Sequence, residues 1–316
     1  MIAATATAAA PFAAWGQAKY PARTVRIISG FSPGGANDLL ARLIAEPLSA
    51  RLGQAFVVEN RVGGGGTIAA EVVANAAPDG HMLLMLAVAH CTHGALYPKL
   101  AYDVERDFAP ITVVATQPLV LVLNAQVPAN DLNEFVALAK RQPGKLFFAS
   151  GGSGTSQHMG MEIFKAAARV ELTHVPYKGL PAAVQDMLNG QITAMMLPIS
   201  TALPLLRTNK LRSLGIASQS RSKLLPQLPT LAQAGVPGVQ ADAWHGMVAP
   251  KGTPASVIET LRRSTSEILA TPAMRAKLDA QGAEAVGNTP AQFAALIHSE
   301  VEKYGTIIRA TGIKPD

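Results

Sequence analysis

Two glycine-rich junctions constrain this chain more than any other feature. In the first, an apolar run over 25–29 meets Phe31-Ser32-Pro33-Gly34-Gly35-Ala36-Asn37-Asp38 and then a helix-patterned run over 39–52. In the second, Leu146-Phe147-Phe148-Ala149-Ser150 meets Gly151-Gly152-Ser153-Gly154-Thr155-Ser156, followed by a helical pattern through His158, Met159, Glu162, Ile163 and Phe164. Both read strand, glycine loop, helix. Such a junction leaves the first N–H groups of its helix without intrahelical acceptors, and the helix dipole adds partial positive charge at the same place. Each is therefore a seat for an anion. Two such seats in one chain predict a cleft with the loops facing each other across it.

The segments between and beyond the junctions repeat α/β grammar. Leu39, Leu40, Leu43, Ile44, Leu48 and Leu52 recur at helical spacing, with Pro47 expected to kink the helix and Gly53 to close it. A short strand over 55–59 leads to Gly63-Gly64-Gly65-Gly66-Thr67, where Thr67 is expected to cap a helix running to 76. The continuous apolar run over 82–89 predicts a strand buried on both faces, as in a parallel sheet. At Gln117-Pro118 the apolar runs split, and strands at 145–150, 172–175, 192–197 and 211–217 alternate with helices at 131–141 and 181–189. Around Asp242-Ala243-Trp244-His245-Gly246 the chain returns, and an amphipathic helix begins at Thr253-Pro254. The last helix, over 289–311, buries Phe293, Leu296, Ile297, Val301, Ile307 and Ile308. The expected architecture is α/β and two-lobed, each lobe a sheet flanked by helices. Residues 19–115 with 246–316 form one lobe and 116–245 the other, and two hinge crossings between them permit closure on a ligand.

Composition narrows the function. A chain of 316 residues, 49% hydrophobic and 15% charged, is long enough for two domains with real cores. Its +6 formal charge is scattered rather than gathered into runs, which argues against nucleic acid and suits a receptor for small acids. Residues 1–18 are uncharged after Met1 and alanine-rich, ending Gly16-Gln17-Ala18. They read as a secretory signal lacking a basic start, or as a tail.

Several motifs carry a sharper and a blander reading. Gly30-Phe31-Ser32-Pro33-Gly34 matches the G-x-S-x-G nucleophile elbow, which would make Ser32 a hydrolase nucleophile. The residue after the nucleophile must lend an N–H to the oxyanion, however, and Pro33 has none, so no catalytic residue is assigned. His90-Cys91-Thr92-His93 holds three soft ligands, but four consecutive residues do not converge on one metal, and no second cluster completes a site. His90 reads instead as a cleft-lining residue at a strand end. Gly64, Gly66 and Ala69 fit G-x-G-x-x-A, yet not in a first βα unit, so neither a dinucleotide nor another cofactor is expected. His158 and Lys178 are equally binding candidates and ordinary loop or helix residues, while Tyr177 and Trp244 are more often packing residues.

Taken in order, these stretches resemble the substrate-binding proteins of tripartite tricarboxylate transporters, the Bug receptors. The resemblance rests on Phe31-Ser32-Pro33-Gly34-Gly35 with Asp38 and Ala41-Arg42, Val57-Val58-Glu59-Asn60-Arg61, Pro78-Asp79-Gly80 and Asp107-Phe108-Ala109-Pro110-Ile111. It continues through Ser150-Gly151-Gly152-Ser153-Gly154-Thr155 with His158, Val175-Pro176-Tyr177-Lys178-Gly179, Leu228-Pro229-Thr230, Trp244-His245-Gly246 and Pro250-Lys251-Gly252-Thr253-Pro254. It implies a periplasmic, monomeric receptor that closes on a small carboxylate and passes it to membrane transporter subunits, without enzymatic chemistry. It places Phe31, Gly34, Gly35 and Asp38 on one wall and Ser153, Gly154, Thr155 and His158 on the other, with Ser32 a passive residue of the cleft. Gly66 and Thr67 are expected to add N–H donors, and His90, Lys178 and Gly179 to complete the site. The alternatives are a binding protein that signals to a sensor kinase and, more remotely, a hydrolase using Ser32. Where relatives often carry Asp after the Gly190-Gln191 strand, this chain has Leu197-Pro198, so the expected ligand is an acid without an amino group.

Overall fold

The computed structural model describes residues 20–315, so the expected signal segment at 1–18 lies outside the described residues. The first part of the chain forms β1 (Val25–Ser29), α1 (Ala36–Leu52), β2 (Phe56–Asn60), α2 (Thr67–Ala74), β3 (Met82–Ala87), α3 (Val88–Leu96) and β4 (Phe108–Gln117). The middle forms β5 (Leu119–Asn124), α4 (Leu132–Arg141), β6 (Phe147–Ser150), α5 (Ser156–Ala168), β7 (Thr173–Pro176), α6 (Leu180–Leu188), β8 (Ala194–Pro198), α7 (Ile199–Leu206) and β9 (Leu211–Ile216). The remainder is β10 (Ala243–Pro250), α8 (Ala255–Ala270), α9 (Pro272–Ala280), β11 (Glu284–Ala285) and α10 (Pro290–Thr311).

These elements build two mixed sheets, ordered β11-β4-β10-β3-β1-β2 and β7-β6-β8-β5-β9. In the first, β3, β1 and β2 are parallel because helices connect them, and β10 joins β3 antiparallel. The second repeats the plan: β8, β6 and β7 are parallel, and β5 joins β8 antiparallel. The chain leaves the first sheet at Gln117, enters the second at Leu119 and returns at Ala243. Each sheet is covered on both faces. Leu40, Ile44, Leu48, Leu261 and Leu278 pack under one face of the first, and Val73, Leu96, Phe293, Tyr304 and Ile308 under the other. Burying a side chain of this size contributes about 1.5–3 kcal/mol, which is how α10, far along the chain, is fixed to the first lobe. Among the described residues no helix is long and apolar enough to cross a membrane.

Three local expectations change. The apolar run over 82–89 is strand only to Ala87, and Val88 starts α3. An unbroken apolar run has no period to mark that switch. His90 ties down the switch, its Nδ1 lying 3.0 Å from both the N and the O of Ala87, so His90 lies in a helix's first turn rather than at a strand end. A second helix absent from the sequence reading, α7, follows β8 directly, with Pro198 both closing the strand and preceding the helix. Thr67 does not cap α2. It is the first helical residue, and the capping position is Gly66 at φ 108°, a conformation that suits glycine.

Candidate functional site

The carboxyl ends of the parallel strands in both sheets lead straight into helices. In the first lobe α1, α2 and α3 begin after β1, β2 and β3; in the second, α5, α6 and α7 begin after β6, β7 and β8. The two sets meet. Thr92 Oγ1 donates to the Gly154 carbonyl at 3.2 Å, a Cβ added at Gly179 would lie 3.0 Å from Ser32 Oγ, and one added at Gly65 would lie 3.6 Å from the Ser153 carbonyl. Phe31, Ser32, Gly66 and His90 are thereby gathered on one side of the gap and Ser153, Gly154 and Gly179 on the other.

The loop glycines shape the gap without supplying its donors. The N–H of Gly34 goes to Asp38 Oδ2 at 2.9 Å and that of Gly35 to the Ser32 carbonyl at 3.2 Å. The N–H groups of Gly66 and Thr67, expected to face a ligand, instead close a tight turn on the carbonyls of Gly63 and Gly64. The Gly154 N–H is taken by His158 Nδ1 at 3.1 Å. Donors for an anion are left one step further on, at Ala36 and Asn37 in α1 and at Ser156 and Gln157 in α5, whose N–H groups have no acceptor inside their helices. A Ser32 nucleophile gains nothing from this arrangement, since Pro33 has no N–H and the next one, at Gly34, is committed to Asp38.

Asp38 is not a wall residue in the expected sense. Its oxygens accept from Arg42 Nε at 3.1 Å, from Asn60 Nδ2 at 2.9 Å and from Gly34, which makes it the brace of the first loop. Burial alone would raise its pKa, but the hydrogen bonds from Arg42, Gly34 and Asn60 outweigh burial and hold it below the ordinary carboxylate value. Thr155 is a cap: its hydroxyl donates to the Gly152 carbonyl and accepts from the His158 N–H. His158 braces the second loop and stacks on His174 with ring centroids 3.7 Å apart, while His174 Nε2 lies 2.8 Å from Ser150 Oγ. Burial, reinforced by the charge of His158, pushes His174 down to about 3. Lys178 is solvent-exposed beside Gly179 at the rim. Tyr177 donates to Asp186 at 2.6 Å, and Trp244 packs edge-on against Phe293 within the first core.

The sequence reading missed a buried polar network beneath the first loop. Asn37 Oδ1 accepts from Ser29 Oγ at 2.8 Å, while its Nδ2 donates to the Met85 carbonyl at 3.0 Å and to His245 Nδ1 at 3.1 Å. Asn37 and His245 stand in motifs of the sequence without a role of their own, and nothing in it links positions 37 and 245. His90 lies fully buried nearby, its ring edge-on to Phe31 at 5.9 Å. Burial pushes both His90 and His245 down to about 4, so both imidazoles are neutral at pH 7. Among the described residues no group of three His, Cys, Asp or Glu is placed to hold a metal ion.

Comparison with known proteins agrees with this geometry. The model of the tripartite tricarboxylate transporter family receptor matches residues 40–313. The protein BugT of Bordetella pertussis is 37% identical over 317 residues, covering 98% of this chain and 95% of its own. A Rhodopseudomonas palustris protein solved with adipate superposes at a TM-score of 0.89 with 32% identity, covering 94% of this chain and all of that one. MatC from Rhodopseudomonas palustris, solved with bound malate, gives 0.85 and 34%, covering 92% of this chain and all of that one. With a two-lobed binding-protein fold, helix N-termini converging between the lobes and a family match over most of its length, the chain belongs to the tripartite tricarboxylate transporter receptor family.

Proposed function

We propose that this receptor binds a small carboxylic acid between its two sheets in the periplasm and, once closed, presents it to the membrane subunits of a tripartite tricarboxylate-type transporter. One observation carries the reading: five strand-to-helix junctions, those of α1, α2 and α3 from the first lobe and of α5 and α6 from the second, meet at one gap. Helix N-termini attract anions through N–H groups and dipoles together, and enclosure between lobes removes the water that would otherwise weaken those contacts. The adipate and malate held by two relatives support a carboxylate as the ligand. Hydrogen bonds to a charged group contribute roughly 1.5–3 kcal/mol each, so three or four exceed the ordering cost and reach micromolar affinity. The two passages between sheets, at Gln117–Leu119 and before Ala243, are the hinge about which the lobes separate to admit it.

A thermal-shift series on protein refolded from denaturant, to strip any acid carried through purification, tests the reading. Ligand at about 100 times its dissociation constant adds about 2.7 kcal/mol, raising the midpoint by several degrees. Stabilisation by one class of carboxylates is expected, and no response to mono-, di- or tricarboxylates would refute the assignment. Loss of uptake of that acid on deleting the receptor supports delivery. Unchanged uptake with loss of gene induction would assign the output to signalling.

A further inference from the structure

The two glycine loops are followed by one pattern of side chains. Gly34 and Gly154 share a positive φ, 78° and 80°. Each gives its N–H to the side chain four residues on, Asp38 Oδ2 at 2.9 Å in one lobe and His158 Nδ1 at 3.1 Å in the other. Four residues further along each helix stands that side chain's own partner: Arg42 Nε donates to Asp38 at 3.1 Å, and Glu162 Oε1 lies 3.7 Å from His158 Nε2. The first lobe thus runs from backbone N–H to carboxylate to guanidinium. The second runs from backbone N–H to imidazole to carboxylate, and Lys165 Nζ ends the row by donating to Glu162 Oε1 and Oε2 at 2.7 and 2.9 Å.

A backbone N–H can only donate, so His158 Nδ1 presents its lone pair to Gly154, leaving the single proton of the neutral ring on Nε2, towards Glu162. The stack on His174, with centroids 3.7 Å apart, fixes the plane of the imidazole but not which nitrogen carries the proton. Glu162 favours it on Nε2 and makes Nδ1 the stronger acceptor, as carboxylates do behind metal-binding histidines. Burial alone would raise the Glu162 pKa, but the hydrogen bonds from His158 and Lys165 outweigh burial and hold it below the ordinary carboxylate value. Stability does not account for the ion pair. Glu162 is 4% exposed in a helix whose other buried side chains include Met159, Met161 and Phe164, and apolar side chains of similar volume commonly serve such a position as well or better. What the row holds is the loop where lobe meets lobe. A Cβ at Gly154 would collide with Thr92 Oγ1 of the first lobe, and the open N–H groups of Ser156 and Gln157 follow directly.

We propose that Glu162 is a positioning residue for carboxylate binding: acting through His158, it fixes the second glycine loop in the form that lets α5 offer its N–H groups to the ligand, without touching the ligand itself. This rests on the receptor reading above. Glu162 stands to His158 as Arg42 stands to Asp38, so each loop is set from one helical turn beyond its brace.

Two of the three measurements that test this need no ligand. In nitrogen-15 spectra of the intact protein His158 should show a protonated Nε2 and an unprotonated Nδ1, and the Gly154 amide should resist hydrogen exchange. Replacing the ion pair by Glu162→Met with Lys165→Met should leave the melting temperature within a few degrees of the parent. In that variant the His158 proton should spread over both ring nitrogens, the Gly154 amide should exchange about tenfold faster, and calorimetry with malate and adipate should find binding about tenfold weaker. His158→Leu should lose as much, and His158→Asn, whose side-chain oxygen takes the place of Nδ1, should restore most of it. In the His158→Asn background the two methionines should weaken binding no further. Equal losses in both backgrounds, or an unchanged His158 ring and Gly154 amide in the methionine variant, would overturn the proposal. Should the intact protein bind no carboxylate, the receptor reading fails, and the ring and amide measurements still decide whether Glu162 sets the loop.

Discussion

The two lobes are built to one plan and use it differently. In each, a central strand feeds a glycine loop and a helix, its parallel neighbours also lead into helices, and an antiparallel strand closes the block. What differs is the brace. In the first lobe a carboxylate, Asp38, ties down the loop from the first turn of α1, so a negative charge sits where the dipole is positive. In the second lobe a histidine, His158, takes the equivalent N–H and adds no negative charge at the loop. The third helix differs too: α3 brings His90 to the gap, while α7 opens with Pro198 and Ile199.

The largest expected effect comes from substituting one glycine in each loop. Gly34 and Gly154 have nearly the same backbone, φ 78° and 80°, so alanine costs each about 1–2 kcal/mol of strain. Only Gly154 has the opposite lobe against it: a Cβ there would lie 2.2 Å from Thr92 Oγ1 and 2.6 Å from Leu96 Cδ1, while one at Gly34 meets nothing within 4 Å. Both variants should melt a few degrees lower. G154A should also lose at least 100-fold in ligand affinity and remain open by small-angle scattering, with G34A within about threefold of the parent, the gap of about 2.7 kcal/mol following from the affinity ratio. Equal affinity losses would mean that the two loops are interchangeable.

A pH series tests the buried imidazoles of the two lobes. His90, His245 and His174 are held below the ordinary 6.5, to about 4, 4 and 3, so the unfolded chain takes up protons that the folded chain refuses. Stability should be fully present above pH 6.5 and fall as the pH drops toward 4. At pH 5 each fully buried ring costs about 2 kcal/mol relative to pH 7.5. His90→Phe should therefore lose about 2 kcal/mol less over that interval than the parent, measured by urea unfolding at both pH values. A parallel decline in the two proteins would show that His90 is not held neutral by the fold.

The contrast between the lobes also marks what the sequence discloses. The two glycine junctions and the α/β alternation were legible because they are local: apolar runs, glycines and helical spacing sit within a few residues of one another. The braces were legible as residues but not as roles, since Asp38 and His158 look alike as polar groups just past a glycine loop. Only the structure shows both spent on the backbone. The His90–His245 pair was beyond reach. It depends on β10 lying beside β3, a pairing between residues far apart in the chain, and on a helix start hidden inside an apolar run.

Asp38→Asn separates bracing from charge at the first loop. Asparagine keeps one acceptor for Gly34 but loses the charge-assisted contact with Arg42, so stability should fall by about 1–2 kcal/mol. Removing the negative charge from the first turn of α1 should leave carboxylate affinity unchanged or raise it up to about fivefold. A tenfold fall would place Asp38 in contact with the ligand after all. Because the depressed Asp38 pKa supplies stability that is lost as the pH falls through it, the parent's advantage over D38N should also shrink below pH 4.

Lys178 provides the smallest effect and the control for the whole comparison. It is exposed at the rim, next to the glycine that meets Ser32, so its charge acts on a ligand through solvent rather than through contact. At 0.15 M salt, charges separated by more than about 8 Å are largely screened, and Lys178→Ala should weaken binding less than about threefold. At 0.01 M salt the same variant should bind more slowly than the parent with an unchanged dissociation rate, as expected of a residue that attracts an anion without holding it. If the loss instead appears in dissociation and survives in salt, Lys178 closes over the bound acid. The rim of the second lobe would then form part of the binding surface.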